Sequence, residues 1–505
     1  MIRNVIFGVL RSALVFPVPF VLTPLILRKI GVRGYGTWAV FLTINNMTSL
    51  ADLGLVGTLS KYVAEYHAQR DYPALSRLLS TGIALFTLLC LSLVFLLWVG
   101  SNLLVAVLFR GSSLEPAALV LLFRYFLILV GANILILLFS SVTSGLQRMD
   151  LTNVATAVNV LTAAVLGGFF LIRGWGLAGL LYGYIGAAVL TLLIYIVLVR
   201  KLLPQVVLNP LRMDSAEARR IFSFSLRLYL TSAASAIHNQ VEKLLLALFV
   251  GVSAAGWYDI ASDVALKVRG AIALVLAPVL PAAAELNAQR DDRRLEELYY
   301  RSHKYLAFVG VPAVCFVATI SSRFVRNWIG PNLLMVAPPL SVLVLVNFLN
   351  LTTGPGFLIF AGMGRLGAGM RSAMLGIALN VILSLALVYR YGFAGAVVGT
   401  SISLVVASAY FLYLFHHQTH FSVWRLLREG YMKPVICSLV LSGVVLALRT
   451  VASSSWLGLA SQGLALAVAY AAVLLCSRFF DQYDWSKLEA LLPVVRRVRR
   501  SVRVA

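Results

Sequence analysis

Charge is scarce in this chain, and negative charge is scarcest. Asp and Glu number 19 against 42 Lys and Arg, and the four types together make up 12% of 505 residues, while 60% are hydrophobic. With a mean hydropathy of +0.91 this excludes the soluble globular class, because no water-exposed fold absorbs that much apolar surface. Cysteine is nearly absent. Cys90, Cys315, Cys437 and Cys476 all fall in apolar segments without ligand spacing, which makes them packing residues and excludes a cysteine metal centre. No phosphate loop, metal-ligand cluster or nucleophile-and-base set occurs, so the chain is expected to be a non-enzyme without cofactor or ATP drive. The longest polar connections, 200–220, 282–304 and 416–432, are too short for a hydrophilic domain. The chemistry must lie at or within a bilayer.

Long apolar runs are what the chain has in abundance. A helix needs about 20 mostly apolar residues to cross a ~30 Å hydrocarbon layer, since every backbone amide must be satisfied inside its own segment. Charged, Gly and Pro punctuation predicts spans near 5–27, 37–60, 78–100, 116–140, 152–172, 177–199, 221–249, 256–281, 305–322, 336–360, 372–389, 395–415, 433–449 and 456–477. The fold class is therefore an all-α polytopic membrane protein of about 14 transmembrane helices. The first run carries Arg11, Pro17, Pro19 and Pro24 and no small-residue cleavage site, and is expected to be retained rather than a signal peptide. With the N-terminus inside, 27 Lys and Arg fall on inner segments and nine on outer loops, which predicts both termini cytoplasmic. The same asymmetry accounts for the formal charge of +23 without nucleic acid.

The segment Ala64-Glu65-Tyr66-His67-Ala68-Gln69-Arg70-Asp71 returns as Ala284-Glu285-Leu286-Asn287-Ala288-Gln289-Arg290-Asp291, 220 positions later. Gly31-Val32 with Gly36 recurs at the same offset as Gly251-Val252 with Gly256, and Gly174-Trp175-Gly176 finds a counterpart in Tyr391-Gly392 at an offset near 216. The chain reads as two six-helix lobes, 1–205 and 215–415, related by a pseudo-twofold axis along the membrane normal. Two unpaired helices (416–480) and a basic cytoplasmic tail (481–505) follow.

Ala51-Asp52-Leu53-Gly54-Leu55, Lys61-Tyr62-Val63-Ala64-Glu65-Tyr66, Arg28-Lys29-Ile30-Gly31 with Tyr35-Gly36, and Tyr391-Gly392-Phe393-Ala394-Gly395 resemble the polysaccharide transporter family. This family, of the Wzx type, lies in the superfamily of multidrug extruders and lipid II flippases. The resemblance implies a flippase that moves undecaprenyl-diphosphate-linked oligosaccharide, such as an O-antigen, capsule or exopolysaccharide unit, across the bacterial inner membrane by alternating access. It also implies that helices 1, 2, 7 and 8 face the cavity, that helices 13 and 14 offer a groove for the lipid tail, and that membrane lipids and a polysaccharide polymerase are partners.

Ionisable residues inside spans cost roughly 2.5–3.5 kcal/mol each on insertion scales and mark function. They gather on helix 1 (Arg11), helix 2 (Asp52), helix 7 (Arg227, His238, Glu242, Lys243) and helix 8 (Asp259, Asp263, Lys267, Arg269). Arg227, Thr231, Ser235, His238 and Glu242 share one helical face, as do Asp259, Asp263 and Lys267, and Asn45, Ser49 and Asp52 stack on helix 2. Arg11, Arg227, Lys243, Lys267 and Arg269 are expected to bind the diphosphate. Asp52, His238, Glu242, Asp259 and Asp263 are expected as cavity acids or coupling groups. Glu65, Arg70, Glu285 and Arg290 are candidate cytoplasmic gate contacts.

Competing assignments exist. Glu242 with Lys267, or Lys243 with Asp263, can be structural ion pairs, and Arg11 and Arg227 can anchor helix ends by snorkelling. A lipid II flippase shares the fourteen-helix plan. A cation-coupled small-molecule exporter would have twelve helices and an acidic lumen, and a membrane polymerase or ligase would need a larger outer loop than 101–115 or 323–335.

Overall fold

A computed structural model describes residues 2–51, 54–207, 209, 213–447, 455–477 and 479–485, and within these the side chains except at 2–6, 9, 49–51, 224 and 226–239. Asp52 and the tail beyond 485 lie outside the described residues, as do the side chains of Arg227 and His238. Every regular element described is helical. The order is α1 (Ile2–Val15), α2 (Val18–Ala51), α3 (Leu55–Gln69), α4 (Tyr72–Val99), α5 (Ser101–Leu108), α6 (Pro116–Gly145), α7 (Met149–Ile172), α8 (Gly176–Leu202) and α9 (Ser215–Phe249). It continues through α10 (Val252–Ala273), α11 (Val279–Ala288), α12 (Asp292–Ile329), α13 (Ala337–Leu351), α14 (Gly354–Gly362), α15 (Gly367–Thr419), α16 (Val423–Leu426), α17 (Met432–Ala447) and α18 (Trp456–Cys476).

Among the described residues 11 segments are long and apolar enough to cross a bilayer, so the chain is a multi-pass membrane protein. Two of the 11 are interrupted inside by a glycine with non-helical backbone. The span Leu10–Thr48 contains a break at Gly31, φ 68° and ψ −178°. The 53-residue α15 would run about 80 Å at 1.5 Å per residue, and it breaks at Gly392, φ 57° and ψ −130°. Both are places where the sequence predicts a turn between two spans, and glycine alone enters these conformations without a Cβ clash.

Proline and glycine set the other bends. The first run is interrupted between Val15 and Val18, at Pro17, where the ring removes an amide donor. The predicted second helix ends at Ala51 and restarts at Leu55 behind a left-handed Gly54, φ 78°. The predicted eighth helix divides into α10, a 3₁₀ turn at Leu274–Leu276 and α11, with Pro278 as the cap residue.

The recurrence near 220 also shows in backbone dihedrals. Positive φ occurs at Gly31 and Gly251, Arg70 and Arg290, Gly111 and Gly330, Gln147 and Gly364, and Gly176 and Gly392. The offsets are 220, 220, 219, 217 and 216, and each pair falls at a turn or break between helical stretches. Gln147 with Gly364 lies in Gly145-Leu146-Gln147-Arg148 against Gly362-Met363-Gly364-Arg365, whereas around Gly111 and Gly330 the sequences diverge. Helices commonly end on a left-handed residue, and at Gln147 a side chain is accommodated where Gly364 has none.

The repeated Gln-Arg-Asp closes one helix and opens the next. Arg70 caps α3 with its amide on the carbonyl of His67, and the Asp71 side chain accepts from the Ala74 amide of α4 at 2.9 Å. Arg290 and Asp291 do the same between α11 and α12, Asp291 accepting from the Arg294 amide at 3.0 Å.

The chain is organised as two compact units, 1–259 with 381–396 and 260–380 with 397–505. The first is centred on buried Phe41, Phe109, Phe123 and Phe126, with ring centroids 4.9–6.1 Å apart. Its connection after α8 adheres to a polar stripe on α4: the Val207 amide donates to Ser76, the Asn209 amide to Ser80 and the Asp214 amide to Thr81. The second unit packs Phe415, Phe421 and the fully buried His303 around Tyr299, with Phe360 against Phe415. Cys90 and Cys437 are buried as expected, Cys315 is half-buried, and Cys476 at the end of α18 is exposed.

Candidate functional site

In the first unit α9 is tied at both ends to the helix formed by α2 and α3. At its N-terminal end Asp214 caps the helix, accepting from the Ala216 and Glu217 amides. This presents Glu217 and Arg220, three apart, to α3. Tyr66 donates to Glu217 at 2.9 Å, Arg220 donates to Tyr66 and reaches Glu65 at 3.5 Å, and its guanidinium lies 4.3 Å from the Tyr62 ring centre. One turn further in, Thr58 and Ser225 share a buried hydrogen bond of 2.8 Å. Burial, the hydrogen bond to Glu217 and the charge of Glu217 push the Tyr66 hydroxyl up to about 12. It is a proton donor at any physiological pH.

The far end of α9 is closed by backbone. A Cβ on Gly36 would overlap the Val252 carbonyl, and one on Gly256 would stand 2.9 Å from the Gly36 Cα. The two repeat-related glycines thus let the second arm of α2 cross the start of α10 at main-chain distance. The Val252 amide donates to the Arg110 carbonyl at 3.0 Å, and Thr37 and Ser112 hydrogen-bond at 3.1 Å. Against this crossing lies a charge network: Lys243 donates to Asp259 at 2.6 Å and Tyr35 donates to its other oxygen at 2.8 Å. The Lys243 and Asp259 side chains are 11% and 14% exposed. Glu242, the residue before Lys243, is buried as well. Between the two closed ends, Asn133 donates to Asn45 at 2.9 Å.

In the second unit α10 carries Asp263, Lys267 and Arg269. Asp263 and Lys267 form an ion pair one turn apart. Arg269 donates from Nη2 to the Asn350 side-chain oxygen at 3.0 Å, and Asn350 donates to Ser408 at 3.0 Å. The Arg269 Nε is buried without a hydrogen-bond partner among the described residues.

These pairings differ from the ion pairs anticipated from sequence. Lys243 takes Asp259, not Asp263, and Lys267 takes Asp263, because the tight turn at Gly251 brings the first turns of α10 level with the last turns of α9. Two of the five expected substrate cations are thereby neutralised. Arg269 has an amide as its partner, and half-buried Arg11 on α1 has no carboxylate partner among the described residues. Arg124 on α6 donates to Ser101 and lies 5.0 Å from the Trp98 ring centre, which is packing.

Of the gate candidates, Glu65 is in the α3–α9 seam, half-buried against Arg220. Arg70 and Arg290 occupy the left-handed turn positions and are exposed, and Glu285 is exposed beside Gln289. Tyr66, Glu217, Arg220, Thr58 and Ser225 were not anticipated. The signal was available in part: Glu217 and Arg220 follow an Asp N-cap at the three-residue spacing that sets both on one helical face.

Residues 1–287 match the family model described as polysaccharide biosynthesis protein. A Shigella flexneri protein described as an O-antigen transporter is 20% identical over 387 residues, covering 75% of this chain and 89% of the relative. Among solved structures, the lipid II flippase MurJ in an inward closed conformation superposes with a TM-score of 0.76 at 16% identity, covering 92% of this chain and 98% of MurJ. An inward-facing multidrug resistance MATE transporter superposes with a TM-score of 0.62 at 14% identity, covering 82% and 98%. The fold is thus that of MurJ and the MATE transporters. By the match over 1–287, the chain belongs to the polysaccharide biosynthesis protein family.

Proposed function

We propose that this protein is a flippase carrying undecaprenyl-diphosphate-linked oligosaccharide from the cytoplasmic to the outer leaflet of the bacterial inner membrane. The observation that carries this reading is Arg269, a guanidinium in an apolar segment whose one described partner is a neutral amide and whose Nε has none. A half-buried guanidinium in an apolar segment without a carboxylate is costly unless an anion visits it, and its planar fork suits a diphosphate. Family membership supports a polysaccharide substrate. Arg11, and Arg227 on α9, complete the proposed set of cations. Lys243 with Asp259 holds α9 and α10 in register instead, and Lys267 with Asp263 is satisfied within α10.

The reading includes fourteen spans in two six-helix lobes plus α17 and α18, both termini cytoplasmic. It is supported by the breaks at Gly31 and Gly392, by the length of α9, and by the five recurring positive-φ pairs. The α3–α9 seam is the cytoplasmic gate and the Gly36–Gly256 crossing the outer one, so alternating access opens them in turn. The test is export in a flippase-deficient strain and, in proteoliposomes, flipping of lipid-linked oligosaccharide beside lipid II. Arg269→Ala at normal expression is expected to lower transport at least tenfold. Unchanged transport removes the diphosphate role, and preferential flipping of lipid II replaces the substrate.

A further inference from the structure

The second unit holds a polar cleft that the transport path does not use. It has a volume of about 440 Å³ and is lined by five cations, Arg301, Lys304, Arg425, Arg428 and Lys433, against three carboxylates, Glu297, Glu429 and Asp481. It lies where the polar end of α12, the start of α17 and the segment after α18 converge, beside the chain's basic connections.

The cleft is built rather than incidental. Its floor is fixed by Asp484, 2% exposed, which accepts from Arg301 at 3.2 Å, Lys304 at 2.5 Å and Tyr305 at 2.5 Å. Asp481 bonds Arg301 at 3.2 Å. Burial raises the Asp481 carboxyl, but the Asp484 amide, Lys304 and Arg301 outweigh it and hold the group below the usual carboxylate range. On the opposite wall Arg425 is engaged by Glu296 and Glu429, both at 3.1 Å. The remaining cations are not neutralised in this way. Lys433 donates to the Ser477 backbone carbonyl at 2.7 Å, and among the described residues Arg428 has no ion-pair partner.

The backbone explains why these two face one cleft. Residues five apart on an α-helix point about 140° away from each other. Here Leu427–Tyr431 is a single π-helical turn, with the Met432 amide on the Leu427 carbonyl. The wider turn brings Arg428 and Lys433 to the same wall, and Tyr431 is pinned by a 2.8 Å hydrogen bond to the fully buried His303. Isolated π turns are energetically poor and concentrate at functional sites.

From the mouth, Met432, Ile436, Leu439 and Val440 form an exposed apolar strip along α17. We propose that this cleft is a binding site for the phosphodiester headgroup of an anionic membrane lipid. Arg428 and Lys433 take the phosphate and the α17 strip takes an acyl chain. Two cations left without a carboxylate in a cleft at the end of transmembrane helices have the chemistry for such a headgroup.

The test uses the full-length protein in detergent and measures lipid binding by native mass spectrometry, comparing phosphatidylglycerol, phosphatidylcholine and inorganic phosphate. Phosphatidylglycerol is expected to bind at least tenfold tighter than phosphatidylcholine. At about fivefold per surface cation, the double variant Arg428→Gln/Lys433→Gln is expected to weaken phosphatidylglycerol about thirtyfold. The control Arg365→Gln/Arg371→Gln, with the same charge change elsewhere, is expected to leave it unchanged. Equal loss in the control, or no lipid preference in the parent, overturns the site. Displacement of the lipid by millimolar inorganic phosphate overturns the lipid assignment in favour of a soluble phosphate ligand. The readout is binding, so its failure leaves the transport reading to its own assay.

Discussion

Tyr66 and Lys243 show how single residues hold the two ends of α9. Tyr66→Phe leaves the buried Glu217 carboxylate short of a donor, and the Glu217 Oε2 already has none. The expected cost is about 1–3 kcal/mol, read as a lower melting temperature in detergent, with Glu217→Gln recovering part of it. Because the Tyr66 hydroxyl is raised to about 12, its contribution is complete below the ordinary tyrosine value near 10 and fades as pH rises through about 12. This hydroxyl therefore does not titrate between pH 6 and 9, and a transport profile that tracked it there would contradict the hydrogen-bonded geometry. At the other end, Lys243→Met strands the Asp259 charge. Breaking a buried pair on one side costs about 3–5 kcal/mol, whereas Lys243→Gln/Asp259→Asn is expected to stay within about 1 kcal/mol of the parent, as a double-mutant cycle would measure.

At the scale of elements, the repeated Gln-Arg-Asp is a device for reversing a helix. Asp71→Ala and Asp291→Ala each remove a cap of about 1 kcal/mol, and the two losses are expected to add in thermal unfolding because the turns share no partners. The arginines before them stand at φ 58° and 55°. Arg290→Gly is expected to be neutral or stabilising, and Arg290→Val to cost about 1–2 kcal/mol. The short motif was legible as a repeat, yet its role was not. Which residue of four turns left-handed depends on where the hydrogen-bond ladder ends, and no side-chain pattern in Ala-Gln-Arg-Asp marks that point.

For the molecule, the consequence is that the helix built from α2 and α3 meets α9–α10 at both ends. Thr58 and Ser225 have hydroxyls 2.8 Å apart, which suits a disulfide between cysteines placed there. In a background with the four native cysteines replaced, oxidised Thr58→Cys/Ser225→Cys is expected to stop transport, and reduction to restore it. Full activity of the oxidised protein would show that this seam need not open.

Membrane class, helix content and duplication were determined by the sequence alone, because hydropathy over about 20 residues and a repeat near 220 are properties of the chain itself. Pairing within one helix is encoded in spacing, although Asp263 and Lys267 were each expected to pair across to α9 instead. Asp263 and Lys267 are one turn apart and meet as their spacing requires. Lys243 and Asp259 stand on two helices, and their meeting depends on the depth and rotation at which α9 and α10 pack. Those are fixed by Gly36 and Gly256, whose missing side chains let main chains touch. Only the tertiary structure decided which cations are neutralised and which remain for a ligand. Charge neutralisation falls off over a few ångströms, and sequence distance carries no information at that scale.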